Sequence, residues 1–175
     1  GWALAGLGQE NSGFEQLHQA LAVFQTIGAA NLLPLLSVMF AEASLQAGEI
    51  DKGLAVIDEA LAVSRRTGML HCDAEICRLK GELLLRQTNG PKHPRRSDRQ
   101  FTEAESCFRQ ALEVARSQGA KSLELRAAIS LARLLQDRER RTEAQECLAP
   151  IYEWFTEGHK TADLREALKL LEQLT

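Results

Sequence analysis

Apolar residues recur along this chain at spacings of three and four, the signature of amphipathic helices rather than of strands. Leu54, Ile57 and Leu61 make one such stripe, and Phe108, Leu112 and Ala115 make another. Each leaves a polar face opposite. The pattern predicts a first helix over 32–47, a turn at Gly48-Glu49, and a second helix over 51–66 closed by Thr67-Gly68. Glycine suits the left-handed residue just past a helix end. Ser12 with Glu15, and Ser97 with Gln100, have the spacing of capping boxes and predict two further helix starts.

The helical pairs repeat. Gln19-Ala20-Leu21-Ala22 aligns with Glu59-Ala60-Leu61-Ala62 at an offset of 40, and Gln110-Ala111-Leu112-Glu113 lies 51 further on. Gly28, Gly68 and Gly119 keep the same two intervals. The excess of 11 falls at Gly90-Pro91-Lys92-His93-Pro94-Arg95-Arg96, which reads as an inserted loop. We therefore expect one domain over 1–175, with units at about 1–30, 31–70, 71–120 and 121–158, a loop insert at 88–98, and a capping helix over 161–174. The predicted fold class is all-α: a right-handed α-solenoid of about four 40-residue helix-turn-helix repeats plus that cap.

Composition agrees. Leu (28) and Ala (24) dominate while Val (5) and Ile (6) are scarce, a balance that favours helix over sheet. A hydrophobic fraction of 45% with 26% charged residues is that of a folded chain. No apolar run has membrane-spanning length, and Gly1-Trp2-Ala3-Leu4 lacks the charged start of a signal peptide. With no initiator Met, the chain reads as a fragment of something longer. Four cysteines do not make a disulfide framework, so a reducing, cytoplasmic setting is expected. The net charge of −3 argues against nucleic acid as a partner, although it is unevenly spread: −4 over 1–70, +4 over 71–140 and −3 over 141–175.

Within the units a family resemblance emerges. Ala104-x-x-x-Phe108 followed by Ala111-Leu112, and preceded by Gly81-x-x-Leu84, resembles the tetratricopeptide pattern. Ala132-x-x-Leu135 with Ala144-x-x-x-Leu148 is similar, as are Ala41-x-x-Ser44 with Gly53-x-x-x-Ile57 and Ala60-Leu61, and Gly13-x-x-x-Leu17 with Ala20-Leu21. The period of 40 instead of 34 resembles the sensor region of the maltose-regulon activator and related signal-transduction ATPases. Residues 104–128 and 148–158 are similar to the C-terminal parts of large bacterial proteins that join a class III adenylate or guanylate cyclase domain, or a DNA-binding domain, to an ATPase. The resemblance implies a helical-repeat region of such a regulator, with protein or peptide ligands in its concave groove and the other domains of the parent chain as further partners.

Chemistry is sparse. There is no phosphate-binding Gly-x-x-x-x-Gly-Lys-Ser/Thr, no His-Glu-x-x-His and no Gly-x-Ser-x-Gly, so no catalytic residue, metal ligand or cofactor is expected. Cys72 and Cys77 stand five apart, which turns them away from a shared helix face, and packing accounts for them better than metal does. Cys107 and Cys147 hold equivalent positions in successive units and read as core filling. The stretch 91–99 is either a solvated insert or an electrostatic foot for an acidic partner. Tyr152, Trp154 and Phe155 either dock the cap helix or form an exposed patch for a neighbouring domain.

The candidate site lies on the first helices of the units, which line the concave groove in tetratricopeptide stacks. Repeat register puts Met39, Glu42 and Gln46 on one inner face, Arg78, Glu82 and Arg86 on the next, and Arg126, Ser130, Arg133 and Asp137 on the third. The arginines could grip a carboxylate or phosphate bidentately. Against that, Glu75, Arg78, Glu82 and Arg86 alternate in sign as a self-paired solvated face would. If they are a clamp, replacing Arg78 and Arg133 abolishes partner capture and leaves the thermal midpoint nearly unchanged. The expected function is a non-catalytic protein-interaction and docking module, with an effector-sensing domain holding a small molecule between repeats as the alternative. Self-association through an edge of the stack is a further possibility.

Overall fold

The computed structural model describes residues 10–26, 32–68, 70–87 and 98–175. They form eight helices and no strand: α1 (Glu10–Thr26), α2 (Leu33–Ala47), α3 (Ile50–Thr67), α4 (Asp73–Arg86), α5 (Asp98–Ser117), α6 (Lys121–Asp137), α7 (Arg141–Glu153) and α8 (Ala162–Leu174). The helix pair expected at 32–47 and 51–66 is present as α2 and α3, each boundary within one residue. Pro34 falls in the first turn of α2, where its missing N–H costs nothing. Gly48, Gly68 and Gly119 take φ of 74°, 73° and 64° at the helix ends where the repeat puts them. Gly28 and residues 88–97 of the insert expected at 88–98 lie outside the described residues, Ser97 among them, while Asp98, expected in the loop, is the first residue of α5. The Ser12 capping box does not hold: α1 already runs from Glu10, so Ser12 lies inside the helix.

Each unit packs a first helix against a second: α2 on α3, α4 on α5, α6 on α7. Successive first helices also pack on one another, α2 on α4, α4 on α6 and α6 on α8. The backbones of the second helices α3, α5 and α7 do not approach one another closely. A stack that closes up along one row and opens along the other bends toward the closed row, so α2, α4, α6 and α8 line the concave side. The helix expected as a cap is thus the last member of the concave row. It buries Leu164, Ala167, Leu170 and Leu174 and turns Arg165, Lys169 and Glu172 to solvent.

Small residues set the spacing between paired helices. Ala41, Gly81 and Ala132 occupy one column of the repeat and are all buried, as are Gly53, Ala104 and Ala144 in the second helices. A Cβ on Gly53 would come within 2.9 Å of the Leu83 and Ser44 side chains. The main core runs from Ala41 and Ile57 through Phe108 and Leu135 to Leu174, and a smaller cluster of Phe14, Leu17, Leu21, Phe40 and Ala43 joins α1 to α2. The aromatic cluster divides. Tyr152 and Phe155 pack on the main core, whereas Trp154 stays 57% exposed, edge-on to Phe155 and under the Lys121 ammonium. No described helix is long and apolar enough to cross a membrane.

Candidate functional site

Facing residues of α4 and α6 meet in a polar chain on the concave side. Arg78 of α4 donates to Glu75 through Nη2 at 2.6 Å and through Nε to both carboxylate oxygens at 3.1 Å. Both side chains are nearly buried, with 12% and 7% exposed. Burial works against the Arg78 charge, but the hydrogen bonds and charge of Glu75 overcome it and raise its pKa above the ordinary arginine value. Arg126 of α6 adds a second cation to Glu75 Oε1 at 3.0 Å and reaches Glu42 Oε1 of α2 at 3.2 Å. Ser130 of α6 donates to Glu82 Oε1 at 2.7 Å, and Arg78 stands 3.7 Å from the same oxygen. Arg133 is ion-paired with Glu166 of α8.

Arg78, Arg126, Ser130 and Arg133 line one depression of about 110 Å³ together with Ile129 of α6 and Asp163 and Glu166 of α8. Of the ten residues expected in the groove, six are therefore brought together: Glu42, Arg78, Glu82, Arg126, Ser130 and Arg133. The other four are dispersed. Met39 packs partly against the Phe14–Phe40 cluster, and Gln46 is exposed further along α2. Arg86 lines a separate open hollow of about 370 Å³ with Glu49, Asp51 and Gln87 at the α2–α3 turn. Asp137 is exposed at the C-terminal end of α6.

Two contributors, Asp163 and Glu166, escape the sequence reading, and Glu75 enters it only as a member of the sign-alternating face. Glu75 is the anchor of the chain, and a signal for it exists: at offsets of 40 and 51, Leu35, Glu75 and Arg126 fall in one column, so opposite charges sit at equivalent places on adjacent first helices. Asp163 and Glu166 carry no such signal, because α8 lacks the repeat motif. Of the two readings of the arginines, Arg78 pairs as the sign-alternating face would. Arg78 spends the donor edge of its guanidinium on the protein's own Glu75, and of the three arginines at the depression Arg126 (33% exposed) and Arg133 (53% exposed) retain more access from solvent. The reason is proximity: a carboxylate one helical turn away is always present, while a ligand must be recruited.

No group of three or more His, Cys, Asp or Glu suited to a metal ion occurs among the described residues. Cys72 and Cys77 are buried and all four thiols are free. On the convex side, Arg109 and Arg140 bind Glu105 and Glu143, tying α5 to α7 across a gap their backbones do not close.

No protein-family model matches the chain. An uncharacterised protein of Rhizobium meliloti (strain 1021) is 31% identical over 134 residues, which is 77% of this chain; the chain spans 12% of that relative's length. Among solved structures, TPR-like repeats described as those of a kinesin light chain from Podosopora anserina superimpose with a TM-score of 0.67. The match covers 98% of this chain and 88% of the other at 16% identity. The fold is a tetratricopeptide-like helical-repeat solenoid.

Proposed function

We propose that this chain is a non-catalytic protein-interaction module that holds an extended segment of a partner along its concave row of first helices. The carrying observation is the convergence of Arg126, Arg133, Arg78 and Ser130 from two first helices on one depression, with a third helix, α8, completing its rim. A depression of about 110 Å³ takes one carboxylate-bearing side chain, whereas small-molecule pockets run to about 300–1,000 Å³ and are mainly apolar. That contrast favours a peptide ligand over an effector enclosed between repeats. The ligand's carboxylate would meet Arg126 and Arg133, the two guanidinium groups still open to solvent.

The module belongs, in this reading, to a larger cytoplasmic signalling protein of bacterial type, with ATPase or nucleotide cyclase activity in other domains. Support comes from the resemblance of residues 104–128 and 148–158 to such proteins and from a relative of which this chain spans 12%. Those domains are further partners, and Trp154 at the α7–α8 turn offers them an exposed aromatic contact. Capture of proteins from lysate by the immobilised domain tests the groove. Arg126→Ala with Arg133→Ala should lose the retained partner; an identical set on wild type and variant overturns the proposal.

A further inference from the structure

One guanidinium links three units. The backbones of α2 and α6 do not approach closely, because α4 lies between them. Yet Arg126 of α6 contacts Glu75 of α4 at 3.0 Å and Glu42 of α2 at 3.2 Å through the same Nη2. Packed helix axes stand about 8–10 Å apart, so in a straight row α2 and α6 would be separated by about twice that. The side chains of Arg126 and Glu42 close this span on the concave side, where bending of the row shortens it.

The two ends of the link differ. Glu75 is nearly buried and held by Arg78 as well, so its hold on Arg126 is fixed from two sides. Glu42 is 22% exposed and lies at the longer distance. The Arg126–Glu42 contact is therefore the releasable one, open to competition by salt and by another carboxylate. On the convex side the Arg109–Glu143 and Arg140–Glu105 pairs tie α5 and α7, which belong to the last two units. They place no constraint on α2.

We propose that Arg126 is a strut whose pairing with Glu42 sets the curvature of the α2–α4–α6 row, and that a ligand carboxylate taking the place of Glu42 releases it. This rests on the groove reading for its ligand and on geometry alone for its strut. Glu42 then acts as an internal stand-in for the ligand, and the groove is narrowest when empty.

Small-angle scattering of the 175-residue chain at low salt decides the strut. Glu42→Gln and Arg126→Gln should each raise the radius of gyration, with helical content by circular dichroism unchanged. Raising the salt to about 0.5 M, where charges are screened within a few ångströms, should expand wild type more than either variant. Fluorescence anisotropy with a labelled Asp-Gly repeat peptide reads the ligand. Glu42→Gln should bind it about tenfold more tightly than wild type, and Arg126→Gln should lose it. A Glu42→Gln scattering curve that superimposes on wild type at low salt overturns the strut. Expansion of both variants with no peptide binding by any form supports the strut and counts against the groove as a carboxylate site.

Discussion

The ring of Phe108 in α5 lies against the bare Cα of Gly81 in α4. A Cβ built on Gly81 would stand 2.8 Å from Cδ1 and Cζ of that ring and closer still to Cε1. Phe108 is fully buried and is one of the largest side chains in the core. The equivalent first-helix residues in the neighbouring units are Ala41 and Ala132, so this unit exchanges one methyl for an aromatic ring. Gly81→Ala should cost about 1–3 kcal/mol by overpacking, read from urea or thermal unfolding. Combining it with Phe108→Leu should cost less than the sum of the two single changes. Additive losses would mean that the ring does not depend on the glycine.

Glu139 has φ of 60°, the one described non-glycine residue in the left-handed region. It occupies the turn between α6 and α7, and the repeat pairs it with Gly48, whose φ is 74° in the α2–α3 turn. Glu139→Gly should therefore stabilise the fold by about 0.5–1 kcal/mol, the left-handed strain removed less the added freedom of the unfolded chain. A lower thermal midpoint would contradict this.

Arg78 and Arg133 should part company on substitution. Arg78→Ala strands the nearly buried Glu75 with Arg126 alone and should cost about 2–4 kcal/mol, toward the lower end for a broken buried pair because one cation remains. Arg133 is half exposed, and Arg133→Ala should change stability by less than about 0.5 kcal/mol while weakening partner capture. Equal and negligible effects on unfolding would favour the clamp reading, in which both arginines are free to serve a ligand.

Acid should loosen the inter-unit contacts. Burial pushes Glu105 and Glu124 up, but Arg140 and Arg109 on the former, and Lys121 and Arg116 on the latter, outweigh it and hold both carboxyls below the usual range. Hydrogen bonds from Arg109 and Arg140 depress Glu143 likewise. A folded pKa below the unfolded value contributes stability that is complete above the unfolded carboxylate pKa of about 4.3 and is lost as pH falls through the folded one. Unfolding free energy should therefore drop below about pH 4.5. Glu105→Gln and Glu124→Gln together should flatten that slope. A slope unchanged by both substitutions would assign acid sensitivity to other groups.

The thiols should be quiet. Burial, with Cys107 and Asp73 beside it, pushes Cys77 up to about 12, and burial raises Cys72, Cys107 and Cys147 as well. A thiolate is the reactive form, so a thiol reagent at pH 8 should label the native protein slowly and all four cysteines after unfolding in guanidinium. Rapid labelling of any one in the native state would contradict the packing.

Much of this architecture was legible before any coordinates. Helix spacing, the glycine punctuation at Gly48, Gly68 and Gly119, and the small residues at Ala41, Gly81 and Ala132 are all set by local backbone geometry or by a contact repeated in every unit. Such features announce themselves in the chain because the same physical demand recurs at the same interval. Ser12 misled because a capping pair is a short and common pattern, and the helix there had already begun.

The site was half legible for a related reason. Repeat register places Glu42, Arg78, Glu82, Arg126, Ser130 and Arg133 on first helices, which is what the sequence by itself determined. Which guanidinium is spent on the protein and which faces solvent was decided by tertiary structure alone. Arg78 and Arg126 have the same chemistry, but one is held edge-on by Glu75 of its own helix and the other spans from α6 to Glu42 on α2. Distances between side chains two units apart depend on how far the stack bends, and bending is set by tertiary contacts that no local pattern encodes. It also brings in α8, whose Asp163 and Glu166 complete the depression without any repeat motif to reveal them.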